Sequence, residues 1–403
     1  MHNILNKIYI KRFRSFPNCI VDLNTNPLFI VGRNGAGKTN FTDIFSFMAD
    51  CMTLQLQATF DKRGGIVSVR NKISNRSYPA NLGLGFEFGN INRSIAGGRY
   101  AFEVKALPSY GFKVVHEQCI IRTKDNKRHW FDRKSDFNTN IPGLKPALDP
   151  TALCLPIVGG DDRFAPVFRL FSGMRRYQIE PSRLREMQDP DQGTYLKSDG
   201  SNTASVLQEL IRAKNNSKIN DIFEYLKHIV PNTSSVQPKK HGNKLTMEFK
   251  QSWQNKGGLK FEAYNMSDGT LRTIGLLMSV FQQPKPSVLV VEEPEATIHP
   301  GALGAILDLL KEAASMMQVI VTSHSPELLD AEWIQDDNIR IVSWTEGVSG
   351  IYPLADASRK AIKEHLMGAG ELLRANALEH AAKANIFCDQ TTLQNGDLFE
   401  ALQ

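Results

Sequence analysis

Short unbroken apolar runs in this chain alternate with segments whose apolar positions recur every three or four residues. The runs Leu28 to Val31, Val288 to Val291, Val319 to Thr322 and Ile339 to Trp344 read as buried strands. Leu271 to Phe281 and Ala302 to Lys311 have the rhythm of helices, so the chain from Met266 onward predicts a parallel sheet flanked by helices. Phe41, Ile44, Phe45 and Met48 follow the i, i+3, i+4, i+7 spacing and predict a half-buried helix just after the first run. Tyr9-Ile10 and Cys19 to Leu23 predict strands around a turn at Pro17-Asn18. From Ala80 to Ile121 the period is two, as in Leu82 to Phe88 and Tyr100 to Val104, which predicts an antiparallel layer. Residues Asp132 to Gly200 are rich in Pro, Gly, Asp and Arg and predict no regular element. Two helices follow, one with Val206, Leu207, Leu210 and Ile211 on a face behind Ser201-Asn202, the other with Ile219, Ile222, Phe223 and Leu226, ending at Pro231.

With 403 residues, 41% of them apolar, the chain can bury one large core or two modest ones without metal or disulfide staples. Its five cysteines are scattered and form no C-x-x-C pair, which argues against a zinc site and a disulfide framework and fits a reducing cytoplasm. Neither a signal-peptide core nor a bilayer-length apolar stretch is present in the sequence, so no membrane role is expected. The net charge of +6 permits nucleic-acid contact without demanding it. Lys239, Lys240 and Lys244 surround His241-Gly242-Asn243 and read as a solvated hairpin tip. Arg169, Arg175, Arg176, Arg183 and Arg185 leave two readings open, structural pairing or a phosphate-contacting surface.

The candidate chemistry begins at Gly32-Arg33-Asn34-Gly35-Ala36-Gly37-Lys38-Thr39, which fits G-x-x-x-x-G-K-[ST] without a mismatch. Glycines let successive N–H groups converge on phosphate oxygens at a helix N-terminus. The expected nucleotide cradle is Arg33, Asn34, Gly35, Ala36, Gly37, Lys38, Thr39 and Asn40, with Lys38 reaching the β- and γ-phosphates and Thr39 holding Mg²⁺. Val288 to Val291 end in Glu292-Glu293, as a Walker B strand should. Strand alternation turns the two acids apart, so Glu292 is expected in the Mg²⁺ shell and Glu293 at the attacking water. Pro294 to Pro300 then form a rigid turn suited to an interface. Thr322-Ser323-His324-Ser325-Pro326 puts His324 directly after a buried strand, within reach of a γ-phosphate. Met266-Ser267-Asp268-Gly269-Thr270-Leu271-Arg272 opens another helix with a hydroxyl, Ser267, and a free N–H near Gly269. One triphosphate cannot readily occupy two helix N-termini that face different ways, and a second copy of the chain would resolve this.

Phe13-Arg14-Ser15-Phe16, GRNGAGKTN, MSDGTLR, VVEEPEATIHP and TSHSP together resemble the ABC-type ATPase heads of the RecF, SMC and OLD proteins. The resemblance spans most of Ile8 to Thr345 and is strongest to stand-alone bacterial AAA-type ATP-binding proteins often found in antiphage systems. It implies an α/β P-loop NTPase fold of ABC-ATPase type, a mixed sheet core with an antiparallel β layer and an inserted helical lobe. The implied division is an N-terminal lobe over 1–130, a helical insertion over 131–235, a C-terminal lobe over 236–378 and a tail over 379–403. It further implies that two heads sandwich two ATP molecules, with Ser267 and Gly269 acting in trans, Glu293 as general base and His324 sensing the γ-phosphate. A Q-loop glutamine is not evident; Gln55 and Gln57 are weak candidates.

Three departures shape the reading. Ser-Asp-Gly-Thr stands where transporters carry Ser-Gly-Gly-Gln, and the long stretch between Thr39 and Ser267 argues against an importer subunit. That stretch lacks heptads, so a compact lobe is expected instead of a coiled-coil arm. Glu292 replaces the more usual aspartate, which suggests slow turnover. The stretch after Thr345 is too short for a nuclease domain, and Asp189 and Asp191 flank Pro190 in a loop ill-suited to metal. The expected function is a cytoplasmic Mg²⁺-ATPase that forms at least a homodimer and controls a separately encoded nuclease or toxin in antiphage defence. The alternatives are a nucleotide-gated, antitoxin-like scaffold with little turnover, or a RecF-like repair ATPase that binds DNA. The tail, with Leu398-Phe399 near its end, reads as loosely held or as a docking peptide.

Overall fold

The computed structural model describes residues 4–72, 81–109, 111–213, 216–230, 232–253, 256–381 and 398–399. Leu28–Val31 is buried throughout, and the pleat sends Leu28 and Ile30 to one hydrophobic core and Phe29 and Val31 to another. It lies within a six-stranded sheet in the order Val348–Tyr352, Ile339–Thr345, Leu28–Val31, Gln318–Ser323, Val288–Glu292, Arg175–Tyr177. Every neighbouring pair is parallel except the hairpin formed by the first two. A sheet covered on both faces needs apolar side chains at every position, which explains the unbroken runs. Val288, Val290 and Ile320 serve the first core, while Leu289, Val291, Val319 and Val321 serve the second.

The first core is roofed by a seven-stranded antiparallel sheet, in the order Phe16–Asp22, Leu5–Phe13, Asn81–Phe88, Ile95–Ala106, Phe112–Thr123, Arg128–Arg133, Phe137–Thr139. Helix Lys38–Thr53 lies within that core. It is therefore buried on most of its surface, not half-buried as expected: Phe47, Cys51 and Met52 are buried along with Phe41, Ile44, Phe45 and Met48. Phe47 meets the rings of Phe13 at 5.3 Å and Phe60 at 5.6 Å. The second core gathers helices Thr203–Arg212, Asn216–Ile229, Asp268–Phe281 and Leu303–Met316 with the antiparallel strands Thr233–His241, Lys244–Trp253 and Lys256–Glu262.

Several local expectations change. The N-terminal hairpin turns at Arg14-Ser15, because Phe13 pairs with Phe16 and both rings are fully buried; Pro17 and Asn18 lie in the strand. The stretch 132–200 contains Arg175–Tyr177, the edge of the six-stranded sheet, whose three residues are too few for a periodic signal. The span 131–235 thus contributes to the antiparallel sheet through Phe137–Thr139, to the parallel sheet through Arg175–Tyr177, and only then to the helical layer. The hairpin around Gly242 forms as read, with His241 opposite Lys244, but Lys239 pairs with Glu248 and Glu262 and Lys244 with Asp189. Asp191 accepts from Asn202 and from the Gly193 N–H, so neither acid of that pair is free for metal. Pro231 and most of the tail lie outside the described residues. Leu398 and Phe399 are buried against Tyr9 and Ala101 of the antiparallel sheet, which makes them a docked pair.

One buried carboxylate joins the roof to the chain beneath it. Glu117 is fully buried and accepts the N–H groups of Cys154 and Leu155 at 2.5 and 2.8 Å and the Tyr100 hydroxyl at 3.0 Å. Burial pushes its carboxyl above the usual range, against those bonds and the Arg133 guanidinium 3.8 Å away. Removing the acceptor strands three donors, so Glu117→Ala is expected to cost about 3 kcal/mol in urea unfolding and Glu117→Gln clearly less. Unfolding midpoints indistinguishable from wild type for Glu117→Ala would show that this tether carries no weight.

Candidate nucleotide site

At the end of Leu28–Val31 the chain must turn past the neighbouring strand without a side chain: a Cβ on Gly32 would stand 2.4 Å from the Val342 carbonyl oxygen. Gly37 has φ 113° and caps helix Lys38–Thr53, and a Cβ there would stand 2.4 Å from Ser349 Oγ. The loop is braced from outside. Ser349 Oγ donates to the Ala36 carbonyl at 2.7 Å, and Asn40 Nδ2 donates to Ser15 Oγ at 2.8 Å. Arg33, Asn34, Gly35 and Thr39 are exposed, and Arg33 donates to Asn376 of the C-terminal segment at 2.7 Å. Lys38 folds back across its own loop and donates to the Gly32 carbonyl at 2.7 Å. Burial pulls its ammonium below the ordinary value, against the attraction of Glu293, Glu295 and Glu292.

Those three acids come from the end of one strand, Val288–Glu292, and the turn directly after it. Glu293 has φ 44°, a left-handed conformation that costs an L residue free energy and is tolerated chiefly where the surroundings impose it. Its N–H donates to the Thr322 carbonyl at 2.9 Å, its own carbonyl accepts from Arg272, and its Oε1 lies 3.0 Å from His324 Nδ1. Both side chains of this pair are open to solvent. Glu292 differs from expectation. It is buried, and Arg176 donates to both its oxygens at 2.8 and 3.0 Å while the Thr42 hydroxyl also donates to it. The structure therefore brings Glu292 to Thr42, one helical turn beyond Thr39, and no hydrogen bond joins Glu292 to Thr39 among the described residues.

Sequence reasoning missed Glu295. Ser323 donates to its Oε1 at 2.5 Å, its Oε2 is buried with no hydrogen-bond partner, and burial pushes its carboxyl above the usual range. Arg272 Nε is likewise buried without a partner, and burial draws that guanidinium below its ordinary value against the pull of Glu295 and Glu293. Arg14, quoted only as part of a motif, donates to Asp43 at 2.7 Å, and Arg63 joins the same carboxylate. Burial disfavours the Asp43 charge, yet Arg63 and Arg14 hold its carboxyl below the usual range. The spaced arginine group is dispersed into separate contacts: Arg176 on Glu292, Arg185 on Asp268, Arg183 near Glu180, and Arg175 over the Tyr195 ring.

Ser267 caps helix Asp268–Phe281, its Oγ accepting the Thr270 N–H at 3.3 Å. A Cβ on Gly269 would stand 2.8 Å from the Thr297 carbonyl oxygen, so that glycine packs against the turn after the acids. Neither residue hydrogen-bonds to the phosphate loop among the described residues. Gln55 and Gln57 are exposed on the short helix beyond Thr53, and Gln57 is bonded to Asp61. A magnesium ion prefers oxygen donors. The exposed hydroxyl of Thr39 and the orphaned Glu295 oxygen are such donors, whereas Glu292 would have to exchange its Arg176 and Thr42 partners, and among the described residues no three acidic, histidine or cysteine side chains are grouped to hold a metal.

The Arg176–Glu292 pair offers a test of this geometry that does not depend on ligand. Arg176→Ala leaves a buried carboxylate uncompensated and is expected to cost about 3 kcal/mol in urea unfolding, with much of that recovered in Arg176→Ala/Glu292→Gln. Additive losses in the double variant would show that the two side chains do not pair.

No curated protein matches this sequence. Residues 28–330 match the family AAA_21, described as "AAA domain, putative AbiEii toxin, Type IV TA system". Among solved structures, an SMC head bound to the C-terminal winged-helix domain of ScpA is similar at 15% identity, with 89% of this chain and 99% of that one covered and a TM-score of 0.56. An SMC head with an extended coiled coil, bound to the C-terminal domain of ScpA from Pyrococcus furiosus, is similar at 15% identity over 90% of this chain and 99% of that one, TM-score 0.53. Such identities speak for the fold alone. The phosphate loop between two sheets, the strand-end acids and the matched family agree, and the chain belongs to the AAA_21 family of AAA domains, with the fold of an ABC-type ATPase head of the SMC and RecF group.

Proposed function

We propose that this protein is a Mg²⁺-dependent ATPase that closes as a homodimer around ATP and so controls a separately encoded effector, a nuclease or toxin, in antiphage defence. The observation that carries the proposal is the meeting of Lys38, Glu293 and His324 at one sheet end, with Glu293 in a strained conformation. In this reading the N–H groups from Asn34 to Asn40 cradle the phosphates and Lys38 leaves its carbonyl partner to contact the terminal ones. Magnesium, when bound, supplies charge neutralisation at the phosphate oxygens, with Thr39 and, once it exchanges its Arg176 and Thr42 partners, Glu292 as the donors. Glu293 accepts a proton from the attacking water, and His324, in contact with Glu293 here, orients that carboxylate and senses the γ-phosphate. The nucleoside leaves the loop on its helix side, where Ser15, Asn40, Ser68, Arg70 and Asn71 line a polar cleft of about 290 Å³.

Ser267 and Gly269 have no part in this half-site within one chain, which supports their use by a second copy. Their surroundings suit a covered surface: Tyr264, three positions before Ser267, is 77% exposed, and Met187 across the same cleft is 50% exposed. The toxin–antitoxin wording of the family supports an effector partnership, and the ScpA-bound heads among the similar structures are precedent for a partner on this fold. Among the described residues no helix is long and apolar enough to cross a membrane. One observation favours a second reading, a scaffold with little turnover: Glu292 is already neutralised by Arg176 and Thr42. Steady-state phosphate release separates the two.

Glu293→Gln is expected to lower ATP hydrolysis by about 10²-fold or more while leaving nucleotide binding intact. Lys38→Ala and Ser267→Arg should each be inactive alone and regain part of the activity when mixed, because one composite site of the mixed dimer is whole. Normal hydrolysis by Glu293→Gln would remove the assigned base. Mixtures as inactive as their components would remove action in trans.

A further inference from the structure

The outer face of the antiparallel sheet, opposite the core side chains of the same strands, carries a second concavity. It has a volume of about 710 Å³ and is floored by Gly89, Ala96 and Gly97, which put backbone where side chains would otherwise stand. The strand registers set its walls. Lys7 faces Glu87, Glu87 faces Arg99, and one step along the same face Gly97 lies opposite Arg122, which lies opposite Arg128. Residues directly opposite on an antiparallel pair sit about 5 Å apart and diagonal neighbours about 7–8 Å, so three guanidiniums and an ammonium share one cleft.

Their compensation is incomplete. Like charges directly opposite destabilise a sheet, as Arg122 and Arg128 are. The one carboxylate in the lining, Glu87, accepts the Tyr9 hydroxyl. Among the described residues no salt bridge is made by Lys7, Arg99, Arg122 or Arg128, and Arg99 Nε is buried without a hydrogen-bond partner. Burial, then repulsion from Arg128, draws the Arg99 guanidinium below its ordinary value, with Glu87 opposing. A cleft of this kind lacks an anion that can accept several forked N–H groups at once. Phosphate is the group that guanidiniums match in geometry and charge. None of the lining residues belongs to the phosphate loop, so the site is separate from the ATP reading.

We propose that this cleft binds a phosphate group, carried by a nucleic-acid strand or by a free nucleotide, through Arg99, Arg122 and Arg128. Arg122 and Arg128 are exposed, so Arg122→Ala/Arg128→Ala leaves the core intact and removes a like-charge pair, and its urea midpoint should be no lower than that of wild type. Binding of a fluorescent single-stranded oligonucleotide by anisotropy tests the first source. Calorimetric binding of ADP in a Lys38→Ala background, where the phosphate loop is silenced, tests the second. The expected result is at least a tenfold loss of one of these in the double variant and in Arg99→Ala, with only partial recovery in Arg122→Lys/Arg128→Lys, which keeps the charge but not the fork. For an oligonucleotide, the slope of log affinity against log salt should also fall by about 0.7 for each guanidinium removed. Loss confined to the oligonucleotide identifies a nucleic-acid strand, and loss confined to ADP a free nucleotide. Absence of both bindings in wild type, or equal binding by the variants, overturns the proposal.

Discussion

Three carboxylates within four residues, Glu292, Glu293 and Glu295, must share one end of a parallel sheet, and each needs a different partner. Glu292 turns inward to Arg176, Glu293 faces His324 in solvent, and Glu295 sits half-satisfied on Ser323. The divergence is built by the backbone: Glu292 ends the pleated strand, and the left-handed step at Glu293 redirects the chain into the turn that follows. Buried like charges are tolerated only when cations or hydrogen bonds compensate them. Lys38, Arg176 and Arg272 supply that compensation here, and the buried atoms left without partners on Glu295 and Arg272 mark where it is incomplete. The result is a charge arrangement that a bound polyanion would rebalance.

The rest of the fold holds that end in place. Two cores grip the six-stranded sheet, and helix Lys38–Thr53 is fixed inside one of them by ring contacts of Phe47 with Phe13 and Phe60. Ser15 and Ser349, from the two sheets, bond to each other at 2.8 Å and brace the loop through Asn40 and the Ala36 carbonyl. The C-terminal segment adds Asn376 at Arg33. The phosphate loop is thus tied to elements far apart in the chain.

The sequence made the parallel strands legible because burial on both faces writes an unbroken apolar run, and it made the loop legible because glycine is required at Gly32 and Gly37. Arg175–Tyr177 escaped notice because two of its three residues are arginines whose side chains leave the sheet edge for Glu292 and Tyr195. The partner of Glu292 could not be read from spacing, since Arg176 lies 116 positions away and meets it only through the parallel pairing of the two strands. Glu295 was hidden for a related reason: an acid after a proline reads as surface, and only the fold shows Ser323 beside it. The basic cleft was hidden because Arg99, Arg122 and Arg128 are spread over three strands and converge only by register.

The proposed account rests on incompleteness: one chain holds a phosphate loop and strand-end acids, while Ser267, three positions after exposed Tyr264, makes no hydrogen bond to that loop among the described residues. Light-scattering mass of the wild-type protein, with magnesium and a non-hydrolysable ATP analogue present and then absent, tests this most directly. The account predicts a doubling of mass that requires the nucleotide and is lost in Ser267→Arg. A single-subunit mass at saturating analogue, or a dimer indifferent to both nucleotide and Ser267, would contradict it.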